Sequence, residues 1–273
     1  MVRFRVVLLT LLFGLVFPML SLQADPLVIG DTFTIDSKIL KETRRINVYR
    51  PGAAPDGPLP VLYMPDGGLG EDFLHVAGLV QVSVGNGTMR PFLLVGIENT
   101  ERRRDMTGPT ENEEDKKIAP HVGGSAAFRA FLRDELMPQI KTRYRTTQET
   151  AIVGESLAGL FVIETFLLEP DLFDTYLAFD PSLWWNNKAL VKSAAERLRA
   201  RPTLSKTLYF ASSDEKGIIE DAQRFAEVLR QSAPPGLHWH YETMPEEHHS
   251  TIYHPAALKA FRAVLQPAAP APH

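Results

Sequence analysis

The sequence predicts a mostly parallel, doubly wound α/β sheet with helices on both faces and an antiparallel strand pair at its N-terminal side. Two observations carry this. Short apolar runs rich in β-branched and aromatic residues recur along the chain, and longer segments with helical periodicity separate them. That alternation is the pattern of strands buried on both faces and joined through helices.

Taken in order, "DTFTIDS" (31–37) and "RRINVYRP" (44–51) alternate apolar and polar residues, as half-buried antiparallel strands do. "LPVLYM" (59–64), "PFLLVGI" (91–97), "TAIV" (150–153), "TYLAF" (175–179) and "KTLYFA" (206–211) are compact apolar runs and read as parallel strands. Helical spacing marks "SAAFRAFLRDELMPQI" (125–140), Leu157 to Leu168 stopped by Pro170, "KALVKSAAERLRA" (188–200), "IEDAQRFAEVLRQ" (219–231) and "PAALKAFRAVL" (255–265). Residues 99–124 are long, charged and weakly periodic, the profile of a functional or mobile loop. No internal repeat is visible.

Composition narrows the chemistry. The chain has 273 residues, 44% hydrophobic and 23% charged, enough for one sizeable α/β core. A net charge of −4 without a basic block argues against nucleic acid or an anionic membrane surface as the main partner. Without any cysteine, disulfides, thiolate nucleophiles and cysteine-ligated metals are excluded. At the N-terminus, Arg3 and Arg5 precede an apolar run from Val6 to Leu20, and small and polar residues end at Ala24. This is the layout of a secretory signal peptide, with Pro18 interrupting a run already short for a bilayer. The expected organisation is therefore a signal peptide at 1–24, one domain at 25–266 and a disordered tail at 267–273, with export to a bacterial periplasm or the outside.

Ser156, in "VGESLAGL", falls where a strand turns sharply into a helix. A strand, a tight turn with small residues around the serine and a helix lift a nucleophile above a sheet edge. The same serine also suits a helix N-cap. A serine hydroxyl needs a base, and an acid to orient that base. The loop after "KTLYFA" offers Asp214 and Glu215, and "EEHHSTIYH" offers His248, His249 and His254. His238 and His240 share one face of an apparent strand and read as structural. The spacing of Glu246, Glu247, His248, His249 and His254 does not match the helical histidine pair of zinc hydrolases, so no metal is expected.

"VLYMPDGG", "VGIENTERRRDMT", "FLRDELMPQIKTRYRT", "VGESLAGLFVIETFLLEPDLFDTYLAFDPSLWWNN" and "EEHHSTIYHPAAL" also carry a resemblance. From about residue 31 to 265 the chain resembles the esterase D-like branch of the α/β hydrolases. It looks most like the bacterial subgroup of siderophore trilactone esterases of the enterobactin and bacillibactin type. The resemblance implies Ser156 as nucleophile, His248 as base through the family's Asp-His-x-Ser pattern on Glu247 to Ser250, and Glu215 as acid with Asp214 as the fallback. It implies an oxyanion hole from the amides of Leu157 and Gly68. Trp184 and Trp185 are candidates for stacking on a substrate, and Arg102, Arg103 and Arg104 for clamping a carboxylate or catecholate, with Arg102 and Arg104 foremost. Relatives usually read G-H-S-L-G-G, so Glu155 and Ala158 are departures, and Glu155 is expected to disfavour anionic substrates.

The expected function is an exported serine esterase acting on a small-molecule ester without a cofactor. An acyltransferase of the same fold and a non-catalytic periplasmic binder of siderophores or other esters stay open. Oligomeric state is not legible.

Overall fold

A computed structural model describes residues 24–267. The expected signal peptide, apart from Ala24, and positions 268–273 of the expected tail lie outside the described residues. Eight strands form one sheet: β1 (Asp31–Ser37), β2 (Glu42–Tyr49), β3 (Leu59–Pro65), β4 (Leu93–Ile97), β5 (Thr146–Glu155), β6 (Thr175–Phe179), β7 (Thr207–Ser212) and β8 (His238–Thr243). Their spatial order is β1-β2-β4-β3-β5-β6-β7-β8. β2 pairs antiparallel with both β1 and β4, and every other pairing is parallel. The expected N-terminal antiparallel pair and parallel centre are both present.

The period of two along the strands divides the core. Val61, Tyr63, Ile152, Leu208 and Phe210 face one layer, while Leu62, Met64, Val153, Tyr209 and Ala211 face the other. Helix α1 (Phe73–Gly85) packs on the second face, and was not legible as a helix. Its sequence, FLHVAGLVQVSVG, spreads apolar residues around the cylinder, leaving Leu74 and Val82 about half exposed, and includes Gly78 and four valines. Neither amphipathic period nor propensity marks such a segment.

The charged segment after β4 is built rather than loose. It contains the single-turn helices α2 (Arg102–Asp105) and α3 (Glu113–Lys116). It is fastened by Gly124 N–H donating to Arg104 O at 2.8 Å and by the Trp185 indole donating to Gly108 O at 2.8 Å. At its base Arg44 is fully buried. Its guanidinium donates to Asp105 at 2.5 Å, to Glu42 at 2.9 Å and to Thr100 at 2.8 Å, and lies over Phe128 at 5.3 Å. A buried cation is tolerated only with such partners.

The predicted helix over 125–140 is instead α4 (Ser125–Phe131), a π turn (Leu132–Leu136) and α5 (Met137–Arg143). Pro138 has no N–H to give and its ring crowds the preceding turn, which explains the widened turn just before it. After β5 comes α6 (Leu157–Leu168), buried on nearly every side. α7 (Trp185–Arg199), α8 (Lys216–Ser232) and α9 (Tyr253–Val264) complete the layers, with α9 packed beside α1.

Two stability outcomes follow from this packing. Asp105→Ala removes the closest partner of a buried guanidinium and is expected to cost about 3 kcal/mol in denaturant unfolding. Gly154→Ala would place a methyl group 2.7 Å from the Ala158 Cβ, and is expected to lower stability by about 1–3 kcal/mol in the same assay.

Candidate active site

The carboxyl ends of four neighbouring parallel strands converge. Ser156 follows β5, Asp180 follows β6 and Ser213 follows β7, while His249 stands in the connection from β8 to α9. Ligand sites of open α/β sheets are built at this edge.

Ser156 has φ 61° and ψ −119°, outside the comfortable range of a residue with a side chain. Holding such a conformation costs about 1–3 kcal/mol and requires a surrounding that fixes it. Here Ser156 N–H donates to Phe179 O at 3.0 Å, and its carbonyl accepts from Leu160 at 2.9 Å and Ser182 at 3.1 Å. The turn also requires close backbone approach. A Cβ on Gly159 would fall 2.9 Å from Phe179 O, and Gly154 lies against Ala158. Ala158 therefore fits the turn where relatives carry glycine, because its methyl group faces the bare side of Gly154.

The Ser156 hydroxyl makes no cap bond to α6. Its partner is His249, whose Nε2 lies 3.0 Å from Ser156 Oγ. The other ring nitrogen, Nδ1, lies 3.0 Å from Asp180 Oδ2. Asp180 is fully buried and is itself held, because Ser213 donates both its N–H and its hydroxyl to the carboxylate at 2.6 Å. The hydrogen bond that His249 Nδ1–H donates to Asp180, with the negative field of nearby carboxylates, raises the His249 pKa above the ordinary 6.5 against the opposing effect of burial.

Two sequence expectations are corrected by this geometry. His248, not His249, was matched to the family pattern, yet its ring is turned to solvent and pairs through Nδ1 with Asp214 at 2.9 Å. The loop explains why. His248 N–H donates to Thr251 Oγ1 at 2.9 Å while its carbonyl accepts from Thr251 and Ile252. This turn aims His248 outward and the next residue inward. Glu215, expected as the acid, is exposed at the start of α8, and its carboxylate is hydrogen-bonded to neither histidine. The fallback Asp214 serves His248 alone. After β7 the chain places Ser213, which supports Asp180 from one strand away.

Asp180 was within reach of sequence reasoning. It ends the apolar run "TYLAF" and opens the quoted "DPSLWWNN", so the strand-end logic applied to Asp214 and Glu215 applies equally here. Serine, acid and histidine still occur in the chain order of the fold.

The other expected residues divide. The Leu157 amide opens α6, where first-turn N–H groups lack intrahelical partners. The Gly68 amide is occupied, donating to Glu71 Oε2 at 2.7 Å. Trp185 is buried and bonded to Gly108, which makes it a packing residue, while Trp184 is half-buried against the same cluster. Arg102 binds Asp66 at 2.6 and 2.8 Å. Arg104 binds Glu42 and Asp105, both at 2.7 Å, and Arg103 donates to Ile118 O at 2.6 Å. The arginines thus hold the segment after β4 together, and none is a free clamp.

Glu155 is largely buried beside His249, its Oε1 lying 3.3 Å from Nδ1. Burial pushes its carboxyl up to about 8, against the pull of His249 and Arg102. It is therefore mostly uncharged at neutral pH, contrary to the expectation that it repels anionic substrates. Among the described residues, Glu155, Asp180 and His249 have ligand-type atoms within 4.8 Å of one another. Both ring nitrogens of His249 are hydrogen-bonded, to Ser156 and to Asp180.

Comparison with known proteins agrees with this architecture. The protein family described as "Putative esterase" matches residues 37–266. The ferri-bacillibactin esterase BesA of Bacillus subtilis is 35% identical over 119 residues, 41% of this chain and 39% of that protein. The siderophore triacetylfusarinine C esterase of Aspergillus fumigatus is 30% identical over half of this chain and 49% of its own length, so the chain spans less than half of these curated relatives. In three dimensions the chain is similar to an IroE-like serine hydrolase from Shewanella oneidensis, with TM-score 0.78 and 28% identity over 86% of this chain and 80% of that one. A strand-end serine, an imidazole and a carboxylate on a mostly parallel sheet, together with a match over most of its length, place this chain in the esterase family of the α/β hydrolases.

Proposed function

We propose that this protein is an exported serine esterase that cleaves carboxylic esters through an acyl-enzyme on Ser156. The observation that carries the reading is the unbroken chain of contacts from Ser156 Oγ to His249 to Asp180 to Ser213. In the attack step His249 Nε2 accepts the Ser156 proton as Oγ bonds to the substrate carbonyl carbon. Asp180 holds Nδ1–H, fixing the tautomer and stabilising the imidazolium. The proton on Nε2 then passes to the leaving alkoxide. For deacylation His249 takes a proton from water, the hydroxide attacks the acyl carbon, and Ser156 recovers its proton.

The Leu157 amide is the first oxyanion donor in this reading. Gly68 becomes the second if the Glu71 carboxylate withdraws from it as substrate enters. Substrate class rests on kinship, since the curated relatives carry names of siderophore esterases. Export rests on the sequence pattern of residues 1–24.

Three outcomes test the reading. Ser156→Ala and His249→Ala are expected to lower kcat/KM on a short-chain aryl ester by about 10⁴-fold, whereas His248→Ala stays near wild type. The reverse ranking of the two histidines would reject the assignment. Because His249 must be neutral to accept a proton, activity should rise with pH through a midpoint above 6.5, and Asp180→Asn should move that midpoint down. A panel of trilactone siderophores, short acyl esters and feruloyl esters, assayed with product analysis, separates the substrate classes and distinguishes hydrolysis from acyl transfer.

A further inference from the structure

His249 Nδ1 faces two carboxyl groups, although one is enough to orient an imidazole. Asp180 Oδ2 lies at 3.0 Å and Glu155 Oε1 at 3.3 Å. Asp180 is fully committed, accepting twice from Ser213 and once from His249. Glu155 Oε1, in contrast, is a buried oxygen with no hydrogen-bond partner of its own. A buried oxygen left unpaired next to a donor is costly, and it persists where it has a use.

We propose that Glu155 is a positioning residue of the esterase site, a second carboxyl that shares the His249 Nδ1 proton with Asp180 and takes over that hydrogen bond when Asp180 cannot make it. The inference rests on the proposed Ser156–His249 chemistry and adds to it. Glu155 ends β5 and Asp180 follows β6, and these strands pair in register with Glu155 opposite Phe179. The backbone itself thus places both carboxyls on the same side of the imidazole.

The charges around Glu155 come from several elements. They are His249 from the β8–α9 connection, Arg102 from α2, Asp180 from the end of β6 and Asp66 from the end of β3. Tyr253 of α9 and Asp72 at the start of α1 border the same cluster. Arg102 is paired with Asp66, so its pull on Glu155 is only partial. Burial dominates, and Glu155 gives up its proton near pH 8, above the pH at which an exposed carboxyl does. Below that pH the neutral acid leaves Asp180 to stabilise the imidazolium alone. Above it two carboxylates do so, and the pair titrates as a unit with His249.

The experiment is the pH profile of kcat/KM for a short-chain aryl ester. The wild-type acid limb should span two ionisations, and Glu155→Gln should reduce it to one with a lower midpoint. Superimposable profiles would overturn the proposal. In an Asp180→Asn background, activity should fall about ten- to a hundredfold at pH 9 and further at pH 6, and adding Glu155→Gln should bring the loss to about 10⁴-fold. If Asp180→Asn alone loses the full amount at both pH values, Glu155 does not take over. Should Asp180→Asn not fold, the Glu155→Gln profile decides alone. Ser156→Ala separates the two ideas: an active Ser156→Ala rejects the serine esterase, while an inactive one with unaltered Glu155→Gln behaviour rejects only the role of Glu155.

Discussion

Everything in the site depends on one strained residue. Ser156 holds a left-handed backbone at the junction of β5 and α6, and the neighbouring strand pins it there through Phe179 O. That strain is sustainable because α6 is buried on nearly every side and cannot shift to relax the turn. The bare Cα atoms of Gly154 and Gly159 let the helix approach the sheet closely enough to lock it. The hydroxyl is thereby lifted away from the helix it would otherwise cap and turned toward His249.

The acid comes from the next strand along. In a parallel sheet, adjacent strand ends lie about 5 Å apart, so moving a carboxylate from the end of β7 to the end of β6 keeps it within reach of the same imidazole. What the move needs is support for a fully buried carboxylate, and Ser213, at the end of β7, supplies two donors for it. The contacts from Ser156 to His249 to Asp180 are thus made with the carboxylate at the end of β6 rather than at the expected place after β7. The same edge carries Glu155, which makes the environment of His249 more acidic than orientation alone requires.

The charged segment after β4 shows a different use of charge. Its arginines resemble a clamp for an anionic ligand when read as letters. In the fold they are consumed internally, by Asp66, Glu42, Asp105 and the Ile118 carbonyl. Arg104 shares Glu42 and Asp105 with fully buried Arg44, an ionic knot that anchors a long connection to the sheet.

The sequence by itself determined the fold class, most strand positions, the span of α6 and the identity of Ser156. These follow from local rules, since strand period, helix period and turn chemistry are written in consecutive residues. Helix α1 escaped because its apolar residues have no single face, and the π turn because a proline inside a strong helical pattern does not announce how the chain will absorb it. Only the tertiary structure decided between His248 and His249, and between Glu215 and Asp180. Neighbours in a turn differ by the direction in which the backbone points them, and candidate acids on different strands differ by which strand end lies beside the imidazole. Both are relations across the sheet, set by the hydrogen bonds of Thr251 and Ser213, and no local pattern encodes them.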